Sequence, residues 1–483
     1  MKMKKTLITA VLLLTSMLLF MSACSSESAV TIETLPAAQT ETETEDADVF
    51  PVINWGGRAF NIISRGSDYG AWESFDVFTE NQTGEPINDA VWERNNIIFD
   101  RYGIEIKETK RDKLADTIKS LVMAGDAEFD AAVTSGADAS ALSSENYLVN
   151  LRSLPDLDLS HEWWDQNAAR DFSFGDRLFF GVSDFLISDK DGSWVYVFNK
   201  RLADDLGIEY PYQMAKDGSW TYDQMHRLAS AAVADLDGDG VMKPGKDRYG
   251  IATEEYDTYA AFFYSGARIF GIGDDGYPEY TFASERNFTA YNKYLELFVK
   301  DSSLYFAKYK TEREAFANGQ ALFKGYTLLG VRGEEFRAME DDFGIIVAPK
   351  YDEGQKNYGH IVSIGTSGSV ICVPLTAPDP DFTGYALDAV SGESTGTLLD
   401  TYINKGFNGK YLRDEESCEM LRLCLESRVY DLSIIYTKWG GLFTKLYGLT
   451  HNTKIDLASL NASVEDSVRQ SLQEMIDMYK DID

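Results

Sequence analysis

The chain has 483 residues, 44% of them hydrophobic and 13% aromatic, and a formal net charge of -33. That length exceeds what one hydrophobic core organises and suits two lobes, with the hydrophobic content of a packed globule. The acidity excludes nucleic acid and a polybasic membrane patch, argues against an anionic ligand, and otherwise serves solubility.

The N-terminus carries Lys2, Lys4 and Lys5, then an almost wholly apolar run from Thr6 to Met21, then Ser22-Ala23-Cys24. Positive, apolar and small residues in that order predict a secretory signal peptide, and the run is too short to span a membrane. Met21-Ser22-Ala23-Cys24 resembles a bacterial lipobox, with Met21 where leucine is usual. The signal peptide is therefore placed at 1–23, with Cys24 diacylated and the chain anchored on the extracellular face of the cell membrane. Ser25 to Val49 holds the acidic run Thr40-Glu41-Thr42-Glu43-Thr44-Glu45-Asp46 and no aromatic residue. It cannot bury enough apolar surface to order itself and reads as a disordered stalk over 24–49.

From Phe50 the pattern alternates. Ala59 to Ile63 reads as a strand. A helix follows from an N-cap at Asn88, with Val91, Ile98, Phe99 and Tyr102 on its period and Gly103 closing it. Ile104-Glu105-Ile106 alternates as a strand. Leu114, Ile118, Leu121 and Val122 mark a helix ended by Gly125, and Phe129 to Val133 is a buried strand. This rhythm predicts an α/β lobe with a mainly parallel sheet. Residues 181–340 are richer in helices, at Thr221–Ala234, Asn287–Lys300 and Glu312–Asn318. The last helix opens on a capping box of Ser463 and Asp466, with Val464, Val468, Leu472, Met475, Ile476 and Tyr479 along one face. Beyond Cys24 the cysteines are Cys372, Cys418 and Cys424. Cys418 and Cys424 share a predicted helix and suit buried thiols better than a disulfide.

Five stretches, in order, carry a resemblance to extracellular solute-binding proteins of family 1, the receptors of sugar-importing ABC transporters, in the long form found in gut Firmicutes. Gly175-Asp176-Arg177-Leu178-Phe179-Phe180-Gly181 resembles the segment crossing from the first lobe to the second. Trp194-Val195-Tyr196-Val197-Phe198-Asn199-Lys200 is similar to the family's tyrosine-asparagine-lysine strand, with Phe198 in place of the tyrosine. Phe316 to Phe323 resembles a helix-to-strand piece, and Asp342 to Pro349 a second crossing strand. Tyr436-Thr437-Lys438-Trp439 is similar to a segment that offers a ligand-stacking aromatic. The resemblance implies a two-lobed α/β fold of the type II periplasmic-binding-protein-like class, with hinge strands and a ligand cleft between lobes. Lobe 1 is expected at about 50–180 plus 349–398 and lobe 2 at 181–348 plus 399–483. It further implies a monomer that captures a small solute, a mono- or oligosaccharide, and delivers it to permease subunits and an ATPase of other chains, without catalysis. The alternatives are a secreted glycoside hydrolase and a surface glycan-binding lipoprotein with no transporter.

A sugar site needs aromatic faces and fixed polar groups. The candidates are Trp55, Trp72, Trp163, Trp164, Trp194, Trp439 and Tyr326, with Asp189 and Asp191 beside Trp194; core packing is the competing role for each tryptophan. Asp235, Asp237 and Asp239 occupy alternate positions before Gly240, the opening of an EF-hand-like calcium loop. Val241 would add a carbonyl. Lys246 stands where the closing acid belongs and Asp247 follows it, so one structural calcium ion is expected. Gly271-Ile272-Gly273-Asp274-Asp275-Gly276 matches a dinucleotide pattern but puts two acids where a phosphate needs amides. The histidines, His161, His226, His360 and His451, form no metalloprotease array, and no nucleophile elbow occurs.

Overall fold

The computed structural model describes residues 50–407, 414–451 and 456–481; the signal peptide, Cys24 and the stalk lie outside them. The first predicted strand forms as β1 (Arg58–Arg65). The helix after it, Pro86–Tyr102, starts before the expected cap at Asn88. Pro86 opens it, where a missing N–H is no loss, and Glu85 is the cap, accepting the Asn88 amide at 2.8 Å. Gly103 ends it at φ 62°, where a Cβ would strike Asn54 and Gly56. Then come β2 (Ile104–Arg111), helix Leu114–Ala124 closed by Gly125, and β3 (Ala131–Ser135). β1 pairs in parallel with both β2 and β3. Every residue of β3 is buried, as a strand covered on both faces must be. The run ends in the short β4 (Phe180–Gly181).

A second body of strands follows: β5 (Trp194–Asn199), β6 (Tyr249–Thr253), a hairpin of β7 (Phe270–Ile272) and β8 (Pro278–Tyr280), β9 (Tyr305–Ala307), β10 (Ala321–Thr327) and β11 (Phe343–Ile346). Of the helices between them, Tyr222–Ala232 and Thr311–Ala317 lie where periodicity places them, while Glu285–Tyr294 continues into a wider turn, Leu295–Val299. The chain then returns through β12 (His360–Ile361) to β13 (Ser369–Cys372), and later adds β14 (Arg428–Val429) beside β12. Two five-stranded sheets result, ordered β2-β1-β3-β13-β4 and β11-β5-β10-β6-β9.

The strand directions position the site. β13 runs against β3, and β4 against β13, so β1, β2, β3 and β4 all end on one edge, where β13 begins. In the second sheet β6, β9, β10 and β11 likewise end together, where β5 begins. The chain leaves the first sheet at Gly181 and enters the second at Trp194; it leaves the second at Ile346 and re-enters the first at Ser369. Both passages join carboxyl edge to carboxyl edge, so these two edges face each other across the connecting segments.

At the C-terminus the capping box does not form. Ser463 ends the helix Leu457–Ala462 and its hydroxyl donates to the Leu460 carbonyl, while the last helix runs Glu465–Asp481. Its apolar face is as expected, with Val468, Leu472, Ile476 and Tyr479 buried. Tyr479 meets the Ser143 hydroxyl at 2.6 Å, and Asn461 accepts from Tyr280 at 2.9 Å, so this segment touches elements attached to both sheets. Cys418 and Cys424 are free thiols on helix Glu415–Glu426.

Candidate functional site

Parallel α/β sheets bind ligands beyond their carboxyl edges, where loops rather than helix bodies cover the strand ends. At the second sheet's edge Trp194 opens β5 and is 1% exposed. Its indole N–H reaches Asp257 at 3.4 Å and the Tyr256 ring lies 4.6 Å from its own. Asp257, wholly buried, also accepts from Tyr196 at 2.7 Å, Tyr305 at 3.1 Å, Tyr264 at 3.2 Å and Tyr294. Burial raises its pKa, and the Tyr294 and Tyr196 hydroxyls oppose that rise. Gly325 of β10 is obligatory here: a Cβ would lie 2.8 Å from Asp257 Oδ1 and 3.2 Å from the Trp194 indole nitrogen. Tyr326 follows, buried, its ring 6.5 Å from Trp194 and 4.2 Å from the Lys324 ammonium. Glu254, the first residue past β6, is half-buried; its carbonyl accepts the Asp257 amide at 3.1 Å, while its carboxylate has no hydrogen bond or ion pair among the described residues. Burial lifts its pKa to about 7, against the pull of Lys324.

The first passage contains a short helix, Ser188–Asp191, whose residues are all buried. Each charge on it is matched. Asp189 receives Arg428 at 2.6 Å, and Arg428 also pairs with Asp165 at 2.6 Å. Lys190 donates to the carbonyls of Leu186 at 2.9 Å and Ser183 at 3.1 Å. Asp191 accepts from Arg332 at 3.0 Å and Tyr402 at 2.9 Å. Asp76, from the loop after β1, accepts the Ile187 and Ser188 amides at 2.9 Å each. The hinge is thus tied to Asp76 and Asp165 on the first-sheet side and to Arg332 on the second.

On the first sheet's edge Arg65 ends β1, fully buried; it donates to Ser369 Oγ at 2.5 Å and to the Ser367 carbonyl, and lies 5.5 Å above the Tyr69 ring. Trp72 ends the turn Ser67–Trp72 beside it, half-buried. Buried polar atoms without a hydrogen-bond partner recur around the two edges and the hinge: Arg65 Nε, Asp76 Oδ1, Ser188 Oγ, Ser193 Oγ, Tyr256 OH and Glu312 Oε2. Unmatched buried donors and acceptors are rare, and each calls for a reason.

The sequence candidates fall into separate places. Trp72, Trp194, Tyr326, Asp189 and Asp191 gather at the edges and the hinge. Trp163 and Trp164 both donate to Asp388, at 2.5 and 2.9 Å, with His161 2.9 Å from the same carboxylate. Trp55 packs 5.0 Å from Phe382 at the opposite end of β1 and receives no company from the others. Trp439 is half-buried, stacked 4.3 Å from Tyr436 and edge-on to Phe270 at 5.4 Å. Asp235, Asp237 and Asp239 converge to within 4.8 Å, all exposed. Asp235 accepts the Gly238 and Gly240 amides at 2.8 and 2.7 Å, Asp247 holds the Leu236 and Lys243 amides at 2.9 and 2.7 Å, and the Lys243 ammonium pairs with Asp239. Three hard oxygen donors so placed suit a calcium ion, with Val241 next in line. Glu254, Tyr256 and Arg65 were not singled out from sequence; the signal was positional, since each flanks a strand at its edge-facing end.

No family model and no curated protein matches the chain. Solved structures do. It is similar to a cyclo/maltodextrin-binding protein complexed with maltotetraose, at TM-score 0.57 and 15% identity over 87% of this chain and 99% of that one. RafE from Streptococcus pneumoniae in its apo form aligns at TM-score 0.54 and 12% identity over 86% and 98%. An ABC substrate-binding protein from Listeria monocytogenes in complex with cycloalternan aligns at TM-score 0.51 and 14% identity over 86% and 99%. The likeness is one of fold: the two-lobed, type II periplasmic-binding-protein-like architecture that the sequence resemblance implied.

Proposed function

We propose that this chain is an extracellular solute-binding lipoprotein that captures an oligosaccharide between its two sheets and delivers it to an ABC importer. One observation carries the reading: both sheets turn their carboxyl edges toward each other across two crossing segments, with buried hydroxyls and aromatic rings at the rim. A saccharide supplies what those groups lack, hydroxyls for the unmatched polar atoms and apolar ring faces for the aromatics. The saccharides bound in two solved structures of this fold, maltotetraose and cycloalternan, support the ligand class. Closure of the lobes about the hinge would bury the ligand.

Binding rather than hydrolysis fits the acids. A glycosidase needs an acid and a second carboxylate flanking the bond. Here Asp189, Asp191 and Glu312 are each committed to a base and Asp257 to hydroxyls, while the Glu254 carboxylate has no hydrogen bond or ion pair among the described residues. We further propose a signal peptide at 1–23, lipidation at Cys24, docking on permease subunits, and a structural calcium ion held by Asp235, Asp237 and Asp239.

Thermal melting of the purified protein against a panel of mono- and oligosaccharides tests the reading. A ligand at a hundred times its Kd adds about 2.7 kcal/mol, which for a chain of this size is a rise of about 3 °C. Such a rise for one saccharide series is expected. Consumption of a saccharide, seen by chromatography, would instead establish the hydrolase. Calcium is tested separately: chelation should lower the melting temperature, and Asp237→Ala should abolish that response.

A further inference from the structure

We propose that the solute carries a positive charge, as an amino-substituted saccharide, and that its ammonium group pairs with Glu254. This deepens the reading of the cleft as a saccharide site and rests on it. The argument is one of charge matching at the second sheet's edge. Lys324, wholly buried, is paired with Glu312 at 3.4 Å. Arg313 pairs with Glu335 at 3.3 Å, and Arg332 with Asp191. Glu255 accepts the Tyr309 amide at 3.2 Å and lies 3.5 Å from His451. Each of these groups has a counter-charge or a donor. The Glu254 carboxylate has no hydrogen-bond donor and no ion pair among the described residues, only the more distant pull of Lys324 and Arg313, although it is half-buried at the carboxyl end of β6.

A second, independent feature points to a ligand at the same edge. Ser193, directly before β5, and Glu312, at the start of helix Thr311–Ala317, are each 0% exposed, and Ser193 Oγ and Glu312 Oε2 lack hydrogen-bond partners; so does the Tyr256 hydroxyl two residues from Glu254. With Glu254 they give this edge two unmatched hydroxyls, an unmatched carboxylate oxygen on the paired Glu312 and one unpaired carboxylate, beside the unmatched Nε of Arg313. A half-buried lone carboxylate is costly to keep ionised, and a cation brought by the ligand offsets that cost, because both charges are then desolvated against each other. A neutral saccharide leaves the cost in place. The charged and titratable groups facing Glu254 are Lys324 and Tyr326 from β10, Glu312 and Arg313 from helix Thr311–Ala317, adjacent Glu255 and Tyr256, and Tyr447 from helix Leu442–Tyr447. Burial holds Glu254 near a pKa of 7, the sign expected of a carboxylate without its partner. The net charge of -33 also favours the approach of a cation.

Isothermal titration of the full chain at pH 7 with a glucosamine oligomer, its N-acetylated counterpart and a neutral gluco-oligomer of equal length decides the matter. The amino oligomer is expected to bind at least tenfold tighter than the other two. Glu254→Gln should erase that preference, by weakening the amino oligomer to the affinity of the neutral ones. The variant changes one charge among many, so non-specific attraction of a polycation to an acidic protein would survive it. A preference that persists in Glu254→Gln, or equal affinities in the native chain, overturns the charge inference and leaves the saccharide receptor standing. Absence of binding to all three overturns both.

Discussion

Glu254 gives the apo protein a pH signature of its own. Its carboxyl titrates near 4.5 when unfolded and is held at about 7 when folded, by burial above all. The folded state therefore binds more protons than the unfolded state between those values, and stability falls as pH rises through that window. Above pH 7 the cost is no more than about 3 kcal/mol. Glu254→Gln should unfold at a higher denaturant concentration than the native chain at pH 8 and at the same concentration at pH 4. His360 works in the opposite sense. Its Nε2 accepts the Ala348 amide at 2.9 Å, which leaves Nδ1 to donate to Ser427 at 2.9 Å, and burial holds its pKa at about 3. The unfolded histidine takes up a proton below pH 6.5 and the folded one does not, so stability is full above 6.5 and falls toward pH 3, by on the order of 5 kcal/mol. His360→Gln should flatten the acid limb of an unfolding profile. Neither residue stands out in the sequence, since what matters is what surrounds each one. The tryptophans were visible as candidates, but their partners were not: Trp164 finds Asp388 from 224 positions away and Trp194 finds Asp257 from 63. A pattern read over a dozen residues holds no trace of such pairs.

At the scale of elements, Asp257 fastens the second sheet's edge. Its oxygens gather donors from β5, β9 and the helices Tyr256–Tyr264 and Glu285–Tyr294. A carboxylate can accept from all of them at once, whereas an amide turns a donor toward some. Asp257→Asn should cost about 2 kcal/mol in chemical unfolding and weaken ligand affinity by loosening Trp194, while Asp257→Ala should cost more. Elements themselves were largely legible. β1, β2 and the helices between and after them lie where periodicity puts them, because apolar spacing and the terminal glycines Gly103 and Gly125 are local signals. Helix starts were less legible. Asn88 and Ser463 are both good caps by residue type, yet Pro86 with Glu85 outcompetes the first, and Ser463 is consumed as the end of another helix.

For the whole molecule, the alternation of strand and helix implied parallel sheets, and the repeated passage between lobes was legible only through resemblance, since nothing local marks Gly181 or Ile346 as an exit. The consequence of that topology is mechanical. Two crossings join the sheets at their carboxyl edges, and the C-terminal segment touches elements attached to both. The hinge helix Ser188–Asp191 cannot rotate alone, because Asp191 is held by Arg332 from the second body and its first amides by Asp76 from the first. Closure must then move Arg332 and Asp191 as one piece. In small-angle scattering the saturating solute should reduce the radius of gyration of the native chain. Arg332→Ala leaves Asp191 buried with Tyr402 as its one side-chain donor among the described residues, which destabilises the fold by about 3 kcal/mol. It should also uncouple the hinge: solute binds more weakly and the decrease in radius shrinks or disappears. If the variant contracts as fully as the native chain, the Arg332–Asp191 pair stabilises the fold without transmitting closure, and the rigid link between the lobes lies elsewhere along the crossings.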